Sequence, residues 1–249
     1  MNDVQPFDNE LLKEHLALAA ERLPGPDYYT ILRWIHERLR PANYVEIGIR
    51  KGDSLRLALN ETRCIGVDPV PCMPEPLPEN MNVFTMTSDE FFKSQHLPDL
   101  IEAPAFSLAF IDGLHLFEQA LRDFINLERF ASSESIVMLH DCLPLDALSA
   151  DRTRTTHFYS GDVWKLTMCL KIHRPDLMMK MIRTPPTGLC LVGNLDPHSQ
   201  RLNLNYDGYV SEYLPLSYAD FDARRGDMPA SIGNTREEVT ACVAQMLAH

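Results

Sequence analysis

The strongest constraint on the fold is a series of short, continuously apolar segments that begins at residue 43. Segments of this length without polar alternation are typical of strands buried on both faces, as in a parallel sheet covered by helices. The first five are Tyr44–Ile47, Cys64–Val67, Val83–Met86, Phe106–Ile111 and Ile136–Leu139. Because stretches of helical periodicity separate several of them, the sequence predicts an α/β sheet core over residues 43–193.

Two further strands close this series. Leu177–Ile182 and Leu189–Val192 flank the turn sequence Pro185-Pro186-Thr187-Gly188. Proline and glycine in so short a connection favour a hairpin, so these last two strands are predicted to run antiparallel.

Helices are predicted at both ends of the core. Residues 1–42 carry two apolar helical faces separated by Pro24-Gly25-Pro26. A C-terminal extension over 194–249 shows little periodicity until Thr235, where Thr235 and Glu238 form a capping box. We expect one domain over 1–249, with an irregular segment at 143–160.

Charge and composition exclude several classes of protein. Lys and Arg total 23 against 35 Asp and Glu, so the net charge of −12 repels nucleic acid and anionic lipid. The chain shows neither a membrane-spanning apolar segment nor a secretory leader, and its six cysteines form no CxxC pair. These features predict reduced thiols and a cytoplasmic protein without nucleic-acid or membrane partners.

A glycine motif follows the first predicted strand. Gly48 permits a tight turn with the backbone close to a ligand, and Gly52 is expected to open a helix whose N-terminus approaches that ligand. Asp68 ends the second strand, where a carboxylate is placed to accept hydrogen bonds from ribose hydroxyls. Together these features predict a nucleoside-type ligand.

The spacing of the motif separates two cofactor classes. Arg50 stands where a dinucleotide fingerprint requires its second glycine, which disfavours a nicotinamide cofactor. The motif resembles instead that of class I S-adenosylmethionine-dependent methyltransferases, in particular small-molecule O-methyltransferases of the catechol type and their antibiotic-tailoring relatives. Over roughly 43–193, the resemblance extends to Cys64–Asp68, Thr87–Asp89, Ile111–His115 and Leu139–Asp141.

The resemblance implies a Rossmann-like, doubly wound sheet of seven strands with a reversed last strand. It implies methyl transfer from S-adenosylmethionine to a hydroxyl of a small-molecule acceptor. In this family the motif from the first strand holds the methionine half of the cofactor, the second strand end holds ribose, and the third flanks adenine. The corresponding cofactor-binding residues here are Glu46, Gly48, Gly52, Ser54, Asp68, Ser88, Asp89 and Asp112.

Two mechanisms stay open at the ends of the fourth and fifth strands. In metal-dependent relatives these strand ends supply carboxylates to Mg²⁺, which implies Asp112 and Asp141 as ligands. His140 and Cys142 are poor partners for Mg²⁺, so the sequence favours a metal-free alternative. There, Asp112 or Asp141 orients His115 or His140 as the general base.

Other interpretations also remain. The first alternative is a nicotinamide-dependent oxidoreductase on a similar sheet, and the second is a methyltransferase-like binding module without activity. Trp164 either covers the pocket or packs in the core, and Asp123 is expected to be solvated. Acceptor specificity is expected in 1–40, 143–165 and 194–234, and the apolar N-terminal helices are suited to pairing in a homo-oligomer.

Overall fold

The computed structural model describes residues 9–248, so the predictions for residues 1–8 and for residue 249 lie outside the described part. The helices are α1 (Asn9–Arg22), α2 (Tyr28–Leu39), α3 (Ser88–Ser94), α4 (Leu97–Ile101), α5 (Phe117–Glu128), α6 (Trp164–His173), α7 (Arg201–Leu204), α8 (Tyr206–Tyr213), α9 (Tyr218–Ala223) and α10 (Arg236–Met246). The strands are β1 (Asn43–Ile47), β2 (Arg63–Asp68), β3 (Met81–Thr85), β4 (Leu108–Ile111), β5 (Ile136–His140), β6 (Met178–Ile182), β7 (Leu189–Gly193) and β8 (Ser231–Ile232).

The strands form one sheet in the order β3-β2-β1-β4-β5-β7-β6-β8. Strands β1 to β5 are parallel, and β7 runs antiparallel to both β5 and β6. The predicted doubly wound sheet with a reversed seventh strand is thus confirmed. Within residues 9–248 the sheet has an eighth strand, because two residues of the C-terminal extension pair with β6.

Helices cover both faces of the sheet, as continuous apolar strands require. On one face, Val45 and Ile47 of β1 pack in a core that includes α5 and α6. On the other face, Tyr44 packs with Ile35 of α2 and Val243 of α10. Helices α2 and α10, which come from the two ends of the chain, are therefore integral to the second core layer.

The prediction of a helix directly after the glycine motif is wrong. Residues 50–54 form turns, and only a single 3₁₀ turn, Leu55–Leu57, follows before β2. Helices α2 and α10 cover this side of the sheet, where Ile31 and Leu32 are fully buried. The local sequence could not show this, because a distant segment supplies the apolar cover. Among residues 9–248, no helix is long and apolar enough to cross a lipid bilayer.

Candidate active site

Gly48 forms the turn at the end of β1. Its φ is 89°, and its amide donates a hydrogen bond of 2.8 Å to the Val67 carbonyl oxygen of β2. A Cβ atom at this position would collide with the carbonyl oxygen of Asp112 and with Cα of Gly113. Gly48 therefore allows the loops after β1 and β4 to pass in backbone contact.

Asp68 ends β2 beside this turn and is half-buried. Its Oδ2 accepts a hydrogen bond of 2.8 Å from the Arg50 amide, and its Oδ1 accepts one of 2.7 Å from the Val70 amide. Each carboxylate oxygen retains a lone pair for a further donor. The residue both fixes the glycine loop and lines the cavity in front of it.

Glu46 is completely buried behind the loop. Its carboxyl group accepts hydrogen bonds from Ser54 Oγ and, at 2.7 Å, from Tyr44 Oη. Burial raises the pKa of Glu46 to about 8 because desolvation disfavours its charged form. Ser54 lines the cavity, whereas Glu46 lies behind it and Gly52 packs against the Met73 side chain. Of these predicted cofactor residues, the structure brings Ser54 to the cavity.

Ser88 and Asp89 begin α3, directly after β3. Gln119 of α5 connects them, since its Nε2 donates to Ser88 Oγ at 3.2 Å and to Asp89 Oδ1 at 3.2 Å. The same nitrogen donates to Oδ1 of Asp123 at 3.0 Å. Asp123 is 1% exposed, so the prediction that it is solvated is wrong.

Four charged side chains meet where β4 and β5 end. Asp112 Oδ1 lies 3.1 Å from His140 Nδ1 and 3.3 Å from His115 Nε2. Asp141 Oδ2 lies 2.8 Å from His115 Nδ1 and 3.5 Å from His140 Nδ1. The structure thus brings together all four residues that the sequence predicted to be catalytic.

Hydrogen bonds within this cluster leave one carboxylate oxygen available. His115 Nδ1 lies 2.9 Å from the Tyr159 carbonyl oxygen, and Thr187 Oγ1 donates to Asp141 Oδ1. Asp141 Oδ2 is buried and accepts no hydrogen bond of good geometry within residues 9–248. One donor atom each from Asp112, His115 and Asp141 lie within 4.8 Å of one another, a spacing suited to a metal ion.

The paired carboxylates and imidazoles shift one another's titration. The neighbouring carboxylates raise the pKa of His140 to about 10 and that of His115 well above its usual value, overcoming the desolvation that opposes both shifts. The imidazoles in turn lower the pKa of Asp112 and Asp141 despite their burial. Without another cation, this cluster favours imidazolium, whereas a general base needs the neutral ring.

The backbone at the cluster is strained. His115 has a φ of 60° and Asp141 a φ of 59°, the left-handed region that L residues avoid. Such conformations persist only where surrounding contacts impose them, and they concentrate at functional sites.

Three other residues contact this cluster and were not among the site residues predicted from the sequence. Tyr28 of α2 stacks on His140 with ring centroids 4.0 Å apart, Tyr159 stacks on His115 at 5.5 Å, and Thr187 bonds Asp141. Thr187 lies in the hairpin turn that the sequence predicts, but nothing in the neighbouring sequence specifies Asp141 as its partner. Trp164 is buried against Phe221 in the core and does not line the cavity.

A single cavity of about 690 Å³ joins these features. Gly48 and Asp68 border it on one side, and Asp112, His115 and Asp141 border it on another. Parallel α/β sheets bind ligands at the carboxyl ends of their strands, where this cavity lies. Its size suits a cofactor and a small acceptor together.

Comparison with known sequences identifies this region. Residues 45–142 match the model of a family described as a methyltransferase domain. The match spans every site residue that the sequence predicted, and the prediction of a methyltransferase is confirmed. Among proteins with curated functions, none matches the sequence significantly.

Solved structures also resemble this chain in fold. The cofactor-bound protein Rv0187 from MTB is 16% identical and has a TM-score of 0.50, with 75% of this chain and 90% of that chain covered. The O-methyltransferase TomG from Streptomyces achromogenes, involved in tomaymycin synthesis and in complex with SAM, is 15% identical, with a TM-score of 0.49 and coverage of 76% and 91%. An O-methyltransferase from Bacillus cereus in complex with SAH is 14% identical, with a TM-score of 0.45 and coverage of 78% and 94%. The likeness to Rv0187 supports the shared fold.

Proposed function

We propose that this protein transfers a methyl group from S-adenosylmethionine to a hydroxyl of a small molecule. The observation that supports the proposal is the shared cavity, which is lined both by Asp68, the residue we assign to a nucleoside-type ligand, and by Asp112 and Asp141 of the charged cluster. Methyl transfer is an in-line displacement at a sulfonium carbon, so alignment of the two reactants is the main task of the enzyme. One enclosed space for both reactants suits that task.

On the cofactor side, we assign the ribose hydroxyls to Asp68. Its two oxygens already accept backbone amides that hold them toward the cavity, so the site is preorganised. Ser54 is assigned to the methionine half, and Glu46 acts through Ser54 because their hydrogen bond fixes the hydroxyl. Glu46 is therefore a positioning residue in this proposal.

On the acceptor side, the residues present fit a divalent cation. Asp112, His115 and Asp141 supply donor atoms within 4.8 Å of one another, and Asp141 Oδ2 is buried without a hydrogen-bond partner in the described chain. We assign the third ligand to His115, since His140 and Cys142, the residues beside Asp141 in the sequence, are not part of this group of donor atoms. Two oxygens and one nitrogen suit Mn²⁺, Fe²⁺ or Zn²⁺ better than Mg²⁺.

A cation held there would bind the acceptor oxygen and lower the pKa of its hydroxyl. The chain's own residues orient this site. Thr187 holds one oxygen of Asp141, and the Tyr159 carbonyl holds His115 through Nδ1. Tyr28 covers the ring of His140, which keeps water from that side of the cluster.

Calorimetry with S-adenosylhomocysteine tests the proposal. We expect the wild type to bind it and Asp68→Ala to weaken binding about 10- to 100-fold, because charge-assisted hydrogen bonds contribute about 1.5–3 kcal/mol. Glu134→Ala, in the exposed turn before β5, is the control and should bind as the wild type does.

Three results would contradict the proposal. Unchanged affinity in Asp68→Ala would remove the ribose assignment. Stabilisation of the fold by NADH instead of S-adenosylmethionine would establish the oxidoreductase alternative. Cofactor binding without turnover on a broad panel of hydroxylated acceptors would establish the non-catalytic alternative. The choice of acceptor, the pairing of subunits and the cytoplasmic location stay predictions.

A further inference from the structure

Residues 149–161, here named the strap, form a loop that closes on itself beside the cavity. The Ser160 amide and the Ser160 hydroxyl both donate to the Ser149 carbonyl oxygen, each at 2.9 Å. Compact surface loops whose ends meet in this way are frequently functional. Tyr159, near the end of the strap, lines the cavity and stacks on His115 with the ring planes 3° apart. The strap therefore contacts a residue that we assign to the cation.

Arg152 fixes the strap to the rest of the molecule. Its Nη2 donates to Glu118 Oε1 at 2.6 Å, and its Nη1 donates to Glu118 Oε2 at 3.0 Å and to Asp162 Oδ2 at 2.7 Å. Bidentate pairing of a guanidinium with a carboxylate fixes the geometry as well as adding energy. Asp162 is 1% exposed, so its contact with Arg152 is largely shielded from water. Glu118 lies in the first turn of α5, directly after the loop that carries Asp112 and His115.

The backbone of Arg152 continues this connection to the charged cluster. Its carbonyl oxygen accepts a hydrogen bond of 2.8 Å from Tyr159 Oη. The carbonyl oxygen of Tyr159 in turn lies 2.9 Å from His115 Nδ1. A carbonyl oxygen can only accept, so His115 Nδ1 carries the hydrogen in this contact. In the neutral ring the lone pair is then on Nε2, which lies 3.3 Å from Asp112 Oδ1.

The Tyr159 carbonyl oxygen competes with Asp141 for that hydrogen. Asp141 Oδ2 lies only 2.8 Å from His115 Nδ1, yet it accepts no hydrogen bond of good geometry within the described chain. The N–H group is therefore directed at the strap and not at the carboxylate. Without the strap, Asp141 Oδ2 would be the nearest acceptor, and a hydrogen bond from His115 would occupy an oxygen that we assign to the cation.

We propose that Arg152 is a positioning residue for the cation. By holding the strap against α5, it keeps the Tyr159 carbonyl oxygen on His115 Nδ1, so that His115 Nε2 and Asp141 Oδ2 both serve as ligands. This inference rests on the cation site of the proposed function. Hydrogen bonds to the second nitrogen of a metal-binding histidine fix its tautomer and ring orientation, and their loss typically weakens metal binding about 10- to 100-fold.

Calorimetry with Mn²⁺ and, separately, with S-adenosylhomocysteine tests the inference. Arg152→Gln removes the guanidinium that bridges Glu118 and Asp162, so we expect Mn²⁺ affinity to fall about 10- to 100-fold. Affinity for S-adenosylhomocysteine should stay at the wild-type value, because Ser54 and Asp68, which we assign to it, belong to the loops at β1 and β2. Equal loss of both affinities in a folded variant would give Arg152 a merely structural role and overturn the inference.

Arg236→Gln is the matched control. Arg236 also pairs with a glutamate, since its Nη2 lies 2.8 Å from Glu37 Oε2, but this pair lies on the exposed surface between α10 and α2. Its substitution should change neither affinity. An Mn²⁺ affinity in Arg152→Gln equal to that in Arg236→Gln would overturn the inference.

Tyr159→Phe supplies a second variant, which decides the question if thermal melting shows that Arg152→Gln does not fold. It retains the ring against His115 and the backbone carbonyl, and it removes only the hydroxyl that bonds the Arg152 carbonyl oxygen. We expect Mn²⁺ affinity to fall in this variant while S-adenosylhomocysteine binding is retained. Unchanged Mn²⁺ affinity would contradict the inference.

The wild type itself separates this inference from the proposed cofactor. If it binds Mn²⁺ but not S-adenosylhomocysteine, the proposed cofactor fails, and loss of Mn²⁺ affinity in Arg152→Gln would still support the inference. If it binds S-adenosylhomocysteine but no Mn²⁺, the cation site and this inference both fail, while the cofactor assignment stands.

Discussion

At the residue scale, the metal assignment separates two histidines that look equivalent in the sequence. His115 belongs to the group of donor atoms spaced for a metal, whereas His140 lies against Tyr28 and Asp112. We predict that Mn²⁺ binding, measured by calorimetry without cofactor, is lost in His115→Ala and retained in His140→Ala.

Activity of the carboxylate variants completes this prediction. Asp112→Asn and Asp141→Asn should each lower the rate about 10²- to 10⁴-fold, and chelator should stop turnover while S-adenosylhomocysteine still binds. Asp222→Asn, on the exposed part of α9, should behave as the wild type does. Full activity in chelator, with loss in His140→Ala, would establish the metal-free histidine mechanism instead.

At the element scale, the turn after β1 depends on one glycine. Gly48→Ala places a methyl group against the Asp112 carbonyl and requires a φ of 89°, so the ends of β1 and β4 must separate. We predict a loss of several degrees in Tm, since about 1 kcal/mol shifts Tm by 2–4 °C in a domain of this size, together with loss of S-adenosylhomocysteine binding.

Gly226 provides the matched control for this change. It lies in the exposed 3₁₀ turn Arg225–Asp227, has no positive φ, and an added Cβ would meet no atom within 4 Å. Gly226→Ala should therefore leave Tm and binding near the wild-type values. If Gly48→Ala matches it in both measurements, the backbone contact between the two loops is not needed.

Helix α5 shows why element boundaries cannot be read from local sequence alone. Leu116 precedes it and provides no side-chain cap. Asp162 Oδ1 accepts from the Phe117 amide at 2.7 Å, while its Oδ2 pairs with Arg152 and Lys165. The acceptor that satisfies the helix start thus comes from a loop far along the chain.

At the scale of the whole molecule, the buried acids make stability depend on pH. The pKa of Glu46 rises from an ordinary 4.5 to about 8 in the folded protein, so folding retains a proton that the unfolded chain releases. The stability contributed by this proton is complete below about pH 4.5 and is lost as pH rises through about 8.

Glu46→Gln should remove this dependence, because an amide mimics the protonated carboxyl group. Between pH 5 and pH 8.5, we expect wild type to lose more than about 1 kcal/mol of unfolding free energy relative to the variant, measured by urea titration. Glu134→Gln, in an exposed turn, should follow the wild-type curve. Parallel curves for wild type and Glu46→Gln would contradict the raised pKa.

The sequence by itself determined the sheet and the strand ends that carry acids. Strands buried on both faces must be continuously apolar, so their limits and the position of Asp68, Asp112 and Asp141 after them are visible locally. The capping box of α10 is equally local, since its partners are three residues apart.

Only the tertiary structure decided which distant groups meet. Asp123 lies on the polar side of its own helix, so the local sequence predicts a solvated residue. Its hydrogen-bond donor Ser88 belongs to α3, which is distant in the sequence. Thr187 and Tyr28 reach the cluster from the hairpin and from α2, and α2 replaces the helix expected after Gly52. The periodicity of apolar residues indicates which side chains are buried. The hydrogen-bond partner of a buried polar group depends instead on how the elements pack together.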